Sequence, residues 1–194
     1  MVYVWEIQKV IDDAIALPSF SAALPPLSET TWRKILVGPS RERDAENDRL
    51  EFLGDALMYA TLGRQLYAQC PQGTPHLYTV RVCTLPIAQP DIWCLALQVL
   101  RAALHSNATF AKLAEKLDVL AVSSVVLSAL TAKTFGEGSS ACPKQRFEVK
   151  RTADLFETVI GSYYLECGFE RLYDWVQDLY YPLIEAARKH YVAL

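Results

Sequence analysis

Carboxylate side chains are concentrated in two short segments, and the first runs from Asn47 to Leu57. On a helix of 3.6 residues per turn, Asp48, Glu51 and Asp55 lie on one face. Like charges at this spacing destabilise a helix by about 0.2–0.5 kcal/mol per pair, and no Lys or Arg four residues later offsets them. The segment is therefore either a solvated acidic surface or a site that receives cations.

The second segment, residues 153–161, has the same character near the C-terminus. Asp154 and Glu157 share a helix face with Gly161, whose missing side chain lets another main chain come close. If two helices crossed there, four carboxylates would meet, and they could all stay ionised only beside cations. Oxygen ligands without His or Cys favour Mg²⁺ or Mn²⁺. Such a centre is suited to hydrolysing a phosphodiester with a metal-activated water molecule.

The helix predicted over the first acidic segment has two further faces. One is expected to point into the core, and the other is an exposed aromatic surface. The leucine face is expected to point into the core and consists of Leu50, Leu53, Leu57 and Ala60. Phe52 and Tyr59 lie beside the acids, on the side away from the leucines, where a surface helix should be polar. An exposed aromatic beside a site suggests a partner surface.

Three motifs resemble the ribonuclease III family. Asp48–Ala56 matches the family's nine-residue signature without a mismatch, and Ala153–Glu157 is similar to its second acidic motif. Arg101–Asn107, followed by Leu113–Leu117, resembles the helix pair between them. The resemblance covers roughly residues 32–185, with all three motifs in the family's order.

This resemblance implies an all-α fold, the ribonuclease III-like endonuclease domain, and cleavage of double-stranded RNA to 5′-phosphate and 3′-hydroxyl ends. It implies Mg²⁺, replaceable by Mn²⁺, held by four catalytic carboxylates, with Asp48 as an accessory acid. The four are Glu51, Asp55, Asp154 and Glu157. It also implies a homodimer in which Phe52 inserts into a second copy, with Tyr59 nearby, so that two sites cut opposite strands.

A basic cluster precedes the second acidic segment and comprises Lys144, Arg146, Lys150 and Arg151. It is either an exposed loop or a set of phosphate contacts beside the metal site. The whole chain is not basic, since its net charge is −3 and its pI about 5.6, which argues against a nucleic-acid-binding surface on every side. We expect no room for a separate double-stranded RNA-binding domain, and hence no tight independent RNA binding.

Composition predicts one well-packed domain inside the cell. The chain has 194 residues, of which 52% are hydrophobic, so a core is expected and disorder is not. Five cysteines without a CxxC pair, and three scattered histidines, predict free thiols and no zinc site. Neither a targeting segment nor a membrane span is expected. We therefore expect a soluble protein of the cytoplasm or nucleus.

Helix-breaking residues divide the chain into two parts. Residues 1–31 are predicted to form an N-terminal helix and a connector, and residues 32–194 the nuclease domain. The first helix spans residues 2–17 and ends at Pro18. Thr31 is expected to cap a helix through Leu36, and Arg41–Glu46 to form a charged loop.

The first acidic helix is predicted to end near Ala68, before Pro71. Asn107 is expected to cap a helix through Leu120. A further helix is predicted over Val122–Thr134. A last pair is predicted over residues 154–167 and 169–190, with Gly168 ending the first of the two. No strand pattern is present.

Residues 79–100 form an atypical insertion relative to the family. The segment is apolar, contains Pro86 and Pro90, and has neither the polarity of a loop nor the pattern of a helix. Removing Val80–Gln98 restores a spacing nearer that of the family. A genuine extra segment and a translated, unspliced intron both remain open.

Three functions therefore remain in competition. The first is a catalytically competent endoribonuclease in RNA processing. The second is a non-catalytic relative that serves as an RNA-binding or ribosome-associated structural subunit, favoured by low basicity but opposed by the retained carboxylates. The third is a helical protein whose acidic faces are only surface, which would show no tight Mn²⁺ site.

Overall fold

The computed structural model describes residues 4–36, 41–69, 92–117 and 146–192. Within these ranges the chain is helical and contains no strand, which confirms the all-α prediction. The helices are α1 (Val4–Ala16), α2 (Glu29–Leu36), α3 (Arg41–Gln69), α4 (Ile92–Leu104), α5 (Asn107–Lys116), α6 (Arg146–Cys167) and α7 (Phe169–Val192). No helix in the described ranges is both long and apolar enough to cross a membrane.

The N-terminal helix α1 is an integral part of the core. Its Ile7, Ile11 and Ile15 recur every four residues and are buried, as expected of an amphipathic helix. They pack against α4, α5 and α7. Helix α1 ends before Pro18, which confirms the predicted helix.

Helices α3 and α6 make the most extensive contact in the fold. The face of α3 turned toward the core carries Gly54, Met58, Leu62 and Leu66. The predicted leucine face is wrong, because Leu50, Leu53 and Leu57 are only half-buried and Ala60 is exposed. The physical reason is that α3 approaches α6 at a glycine, and its buried face also includes Thr61 and Gln65, which add nothing to a hydrophobic pattern.

Two helix caps lie just before the residues predicted from the sequence. Helix α2 begins at Glu29, and Ser28 Oγ, not Thr31, caps it by accepting a hydrogen bond from the main-chain N–H of Thr31 at 3.2 Å. Ser106 has an extended backbone and caps α5 by accepting from the N–H of Thr109 at 3.1 Å, so the prediction of Asn107 is wrong. Helix α5 ends at Lys116.

Two charged segments are helical: one was predicted as a loop, and the other was left open between a loop and a set of phosphate contacts. Arg41–Glu46 forms the first turns of α3, and the basic segment from Arg146 onward forms the first turns of α6. A charged stretch can extend a helix whose later residues are held by the core, because helix growth is cooperative. Lys144 and the predicted helix Val122–Thr134 lie outside the described residues.

The end of the atypical insertion is helical. Helix α4 begins at Ile92, and its Leu97 and Leu100 are buried, so the expectation of no helical structure is wrong for this part. Earlier residues of the insertion lie outside the described ranges. Gly168 has a φ of +83°, a conformation that favours glycine, and separates α6 from α7 as predicted.

Candidate active site

The site is built where α3 crosses α6, and two glycines allow that crossing. A side chain on Gly54 would overlap the main-chain carbonyl of Glu157, and one on Gly161 would overlap the carbonyl of Leu50. The two main chains therefore touch directly, with a glycine from each helix at the contact. Glu157 is itself at one contact, and Glu51 follows Leu50 at the other, so the crossing brings the two acidic segments together.

Three of the four predicted carboxylates converge. Glu51, Asp154 and Glu157 each have an oxygen within 4.8 Å of the others. Asp55 is not part of this closest group but lines the same open cleft of about 580 Å³, as does Asp48. The crossing therefore supplies a compact group of three acids with two further carboxylates beside it.

Glu157 is the most buried acid of the site, with 6% of its surface exposed. Burial, and then the negative charges of Asp55, Glu51 and Asp154, raise the pKa of Glu157 from 4.5 to about 8. Without a cation beside it, this carboxyl group therefore carries a proton at neutral pH. The environment of Glu157 disfavours the ionised carboxylate, whereas a bound cation would favour the ionised carboxylate.

Lys150 supplies the positive charge nearest to the acids. Its Nζ lies 2.8 Å from each carboxylate oxygen of Asp154, one turn later on α6, and 3.4 Å from Oε1 of Glu51. The hydrogen bond to Asp154 raises the pKa of Lys150. Of the predicted basic cluster, Lys150 and Arg151 lie on α6, Arg146 is described only by its main chain, and Lys144 lies outside the described residues.

The turn between α4 and α5, and the first residue of α5, contribute two site residues that the sequence analysis missed. Asn107 lines the acidic cleft, although we had expected it only as a helix cap. Nε2 of His105 lies 3.2 Å from the main-chain oxygen of Asp55 and 3.4 Å from its Oδ1. The available signal was the presence of polar residues at the end of an otherwise apolar motif, Arg101–Asn107.

Of the two aromatic residues predicted to form a partner surface, Phe52 is exposed, whereas Tyr59 contacts other side chains of the same chain. Phe52 has 79% of its surface exposed and lies at the edge of the acidic cleft. Phe52 also lines a neighbouring depression of about 510 Å³ together with Leu53 and the exposed Leu165. Tyr59 is half exposed, and its ring contacts the Arg101 guanidinium at 4.5 Å and the His105 ring at 5.6 Å.

The donor set fits a hard divalent cation. All three converging ligands are carboxylates, their oxygens are close enough to share one ion, and the described residues around them bring no Cys to the cleft. Lys150 already stabilises negative charge at two of the three. A cation at Glu51, Asp154 and Glu157 would offset the burial and the charge repulsion that raise the pKa of Glu157.

The described residues thus form an all-helical domain with an acidic cluster at a glycine-mediated helix crossing. Comparison with known proteins identifies the family: residues 48–168 match the family model of the ribonuclease III domain. The chain belongs to the ribonuclease III family.

Its relatives include bacterial proteins named Ribonuclease 3. The one from a Nitratiruptor species is 28% identical over 155 residues, covering 80% of this chain and 54% of that protein. The one from Gloeobacter violaceus is 31% identical over 145 residues, covering 73% of this chain and 47% of its own length. The chain thus spans about half the length of these relatives. No solved structure matches significantly.

Proposed function

We propose that the protein is an endoribonuclease that cleaves double-stranded RNA by metal-dependent phosphodiester hydrolysis. The observation that carries the proposal is the convergence of Glu51, Asp154 and Glu157 within 4.8 Å, with the pKa of Glu157 raised to about 8. A cluster whose buried acid resists ionisation is poised to take up a cation. Family membership supports the nuclease class, and the cluster supports the chemistry.

Four carboxylates of the chain would hold Mg²⁺, or Mn²⁺ in its place. Glu51, Asp154 and Glu157 supply the closest oxygens, and Asp55 adds a further carboxylate from the same cleft. The bound ion supplies activation of a water molecule and stabilisation of the leaving 3′ oxygen. Glu157 must give up its proton for this, so cation binding and deprotonation of Glu157 are coupled.

The RNA backbone enters an open cleft whose positive charge comes from α6. Lys150 is exposed enough to turn from Asp154 toward a phosphate, because 56% of its side chain is accessible. Arg151 is the next residue on the same helix, and its side chain is exposed. Such contacts fix the position of the backbone without reading its sequence.

A two-fold homodimer completes the double-strand activity. One acidic cluster reaches one strand, so cutting both strands requires two clusters. Phe52, Leu53 and Leu165 form an apolar surface in the depression beside the cleft, and an isolated soluble chain seldom leaves such an area uncovered next to a site. Two-fold symmetry would use the same surface on both copies.

A non-catalytic subunit is the second candidate, and Lys150 is the observation that favours it. Its ammonium group already neutralises Asp154 and lies near Glu51, so the cluster could be a purely structural ion-pair network. The net charge of −3 also fits a protein that relies on partners for RNA contact. A structural network, unlike a metal centre, would bind no Mn²⁺ tightly.

One assay separates these functions. A long, perfectly paired RNA duplex is incubated with the protein in Mg²⁺, in Mn²⁺ and in EDTA, with Glu157→Gln as the matched control. We expect short duplex products with either metal, none in EDTA, and almost none from the variant. Intact duplex in every lane, with calorimetric Mn²⁺ binding absent, would overturn the nuclease proposal and leave the structural subunit.

A further inference from the structure

The α4–α5 turn holds the His105 ring in a fixed orientation. The ring packs edge-on against Tyr59 of α3, with centroids 5.6 Å apart, and against Phe110 of α5, with centroids 5.2 Å apart. Only 17% of the side chain is exposed. The main-chain N–H of His105 also donates to the carbonyl of Arg101 at 2.8 Å.

The edge of this ring faces two of the three oxygens of Asp55. Nε2 of His105 lies 3.2 Å from the main-chain carbonyl of Asp55 and 3.4 Å from its Oδ1. A carbonyl oxygen can only accept a hydrogen bond, so Nε2 must carry the hydrogen. The imidazole therefore donates its hydrogen to the main chain of Asp55, and the carboxylate of the same residue lies 3.4 Å from the same nitrogen.

A hydrogen-bonded network from α1 anchors the turn that carries His105. The next residue, Ser106, donates through Oγ to Oε1 of Gln8 at 2.8 Å and caps α5. Gln8 also donates through Nε2 to Oγ1 of Thr109 at 2.9 Å. Helix α1 lies outside the matched family region, so part of the support for the ring comes from residues specific to the N-terminal segment.

Among the acids of the site, Asp55 is the one whose side chain most needs a hydrogen-bond donor to fix its conformation. Its side chain is 54% exposed, and it lies outside the closest group of three carboxylates. It lines the same cleft, however, and among the acids it has the strongest electrostatic effect on Glu157. An exposed aspartate has several side-chain rotamers, and one fixed donor can select among them.

We infer that His105 is a positioning residue for Asp55: its Nε2–H holds the Asp55 carboxylate in the cleft as the fourth oxygen ligand of the metal centre. This inference rests on the proposed function. His105 itself contacts neither metal nor RNA, and acts only through Asp55. The contact follows the general pattern in which a second group orients a metal ligand by a hydrogen bond.

The test compares two substitutions of His105. His105→Leu keeps apolar bulk between Tyr59 and Phe110 but removes the donor, whereas His105→Gln retains an N–H donor at a similar distance. Mn²⁺ affinity of the RNA-free protein is measured by calorimetry, and kcat and KM on the duplex are measured separately. We expect His105→Leu to weaken Mn²⁺ binding about tenfold and lower kcat with KM nearly unchanged, and His105→Gln to restore much of both. Unchanged affinity in His105→Leu would overturn the inference.

A double-mutant cycle distinguishes positioning from general stability. In an Asp55→Asn background, His105→Leu should change Mn²⁺ affinity by less than about twofold, because the carboxylate it positions is gone. An undiminished effect would mean that His105 acts through the fold and not through Asp55.

Nitrogen NMR of the imidazole in the metal-free protein is independent of catalysis. We expect a hydrogen on Nε2, with a resonance that shifts in Asp55→Asn. A hydrogen on Nδ1 alone would overturn the inference even if the nuclease proposal holds. If the expected NMR result is found but the wild type binds no Mn²⁺ and cuts no RNA, the nuclease proposal fails and the His105–Asp55 contact stands as structural.

Discussion

Gly54 of α3 lies directly against the main chain of Glu157 on α6, where the carbonyl carbon of Glu157 would be 2.6 Å from an added Cβ. Gly161 makes the reciprocal contact with Leu50 of α3. The separation of the two acidic segments is therefore set by two missing side chains. Any residue larger than glycine must push the helices, and with them the carboxylates, apart.

Gly54→Ala should lower both stability and cleavage. The overlap is with main chain, which cannot rotate away, so we expect a loss of about 1–3 kcal/mol in the free energy of unfolding. Cleavage and Mn²⁺ affinity should fall further than stability alone explains, because the ligands separate. Denaturant melts and calorimetry measure the two effects.

Gly63→Ala is the matched control on the same helix. No described atom lies within 4 Å of its added Cβ, so we expect about 0.5–1 kcal/mol of stabilisation. Equal effects of the two substitutions would contradict the role of the crossing.

The two acidic segments could be located from sequence because their pattern is local. Carboxylates at helical spacing, and a glycine one turn beyond Glu157, indicated that two helices could cross there, and the family resemblance supplied the four-carboxylate site. Gly54 is part of the same signature, yet its role required the partner helix to be known. Helix α1 was likewise predictable from the regular spacing of its apolar residues, and its end from the presence of Pro18.

What could not be predicted depends on contacts between distant parts of the chain. The buried face of α3 includes Thr61 and Gln65, which no hydrophobic pattern reveals. His105 and Asp55 are fifty residues apart, and their contact exists only because α4 packs beside α3. The cap of α5 was predicted one residue too late because Ser106 and Asn107 are both good capping residues, and backbone geometry selects between them.

The stability of the metal-free protein should fall with rising pH because of Glu157. Its pKa is about 8 in the folded protein and near 4.5 in the unfolded chain, so between these values the folded state binds the extra proton. The free energy of unfolding therefore decreases with pH in this window, by up to about 1.4 kcal/mol per pH unit from this group. Below pH 4.5 both states carry the proton, and the effect is absent.

Glu157→Gln isolates this contribution, since glutamine does not titrate. In EDTA, thermal melts from about pH 5 to 8 should show the variant gaining stability relative to the wild type as pH rises. Saturating Mn²⁺ should reduce the difference, because a bound cation stabilises the ionised form. Parallel melting curves for the two proteins across this range would mean that Glu157 is ionised throughout.

Glu157→Gln should also separate cleavage from RNA binding. The substitution keeps the shape of the side chain but removes a charged ligand, so cleavage should fall by orders of magnitude, on the scale of about 10²-fold or more. Duplex binding, which depends on positive charge and on the dimer surface, should survive in a gel-shift assay. Wild-type cleavage rates in the variant would remove Glu157 from the centre.

Transcript sequencing decides whether Val80–Gln98 belongs to the mature protein. Leu97 lies within this stretch and is buried in the core through α4, so we expect mature transcripts to retain its codons. Deleting Val80–Gln98 should then lower the unfolding temperature and the yield of folded protein. If every cDNA instead lacks these codons, the segment is a retained intron, and the shortened chain should fold at least as stably.

The last prediction concerns assembly through Phe52. Its side chain is 79% exposed beside the cleft, and burying it contributes about 1.5–3 kcal/mol, counted twice in a two-fold dimer. Phe52→Ala should therefore shift sedimentation from dimer to monomer and abolish double-strand cutting while Mn²⁺ affinity is kept. Tyr67→Ala is the control, because Tyr67 is 77% exposed on the same helix but lies outside the proposed surface. A wild-type monomer at tens of micromolar would refute the homodimer and would require a different ribonuclease III-like chain to supply the second site.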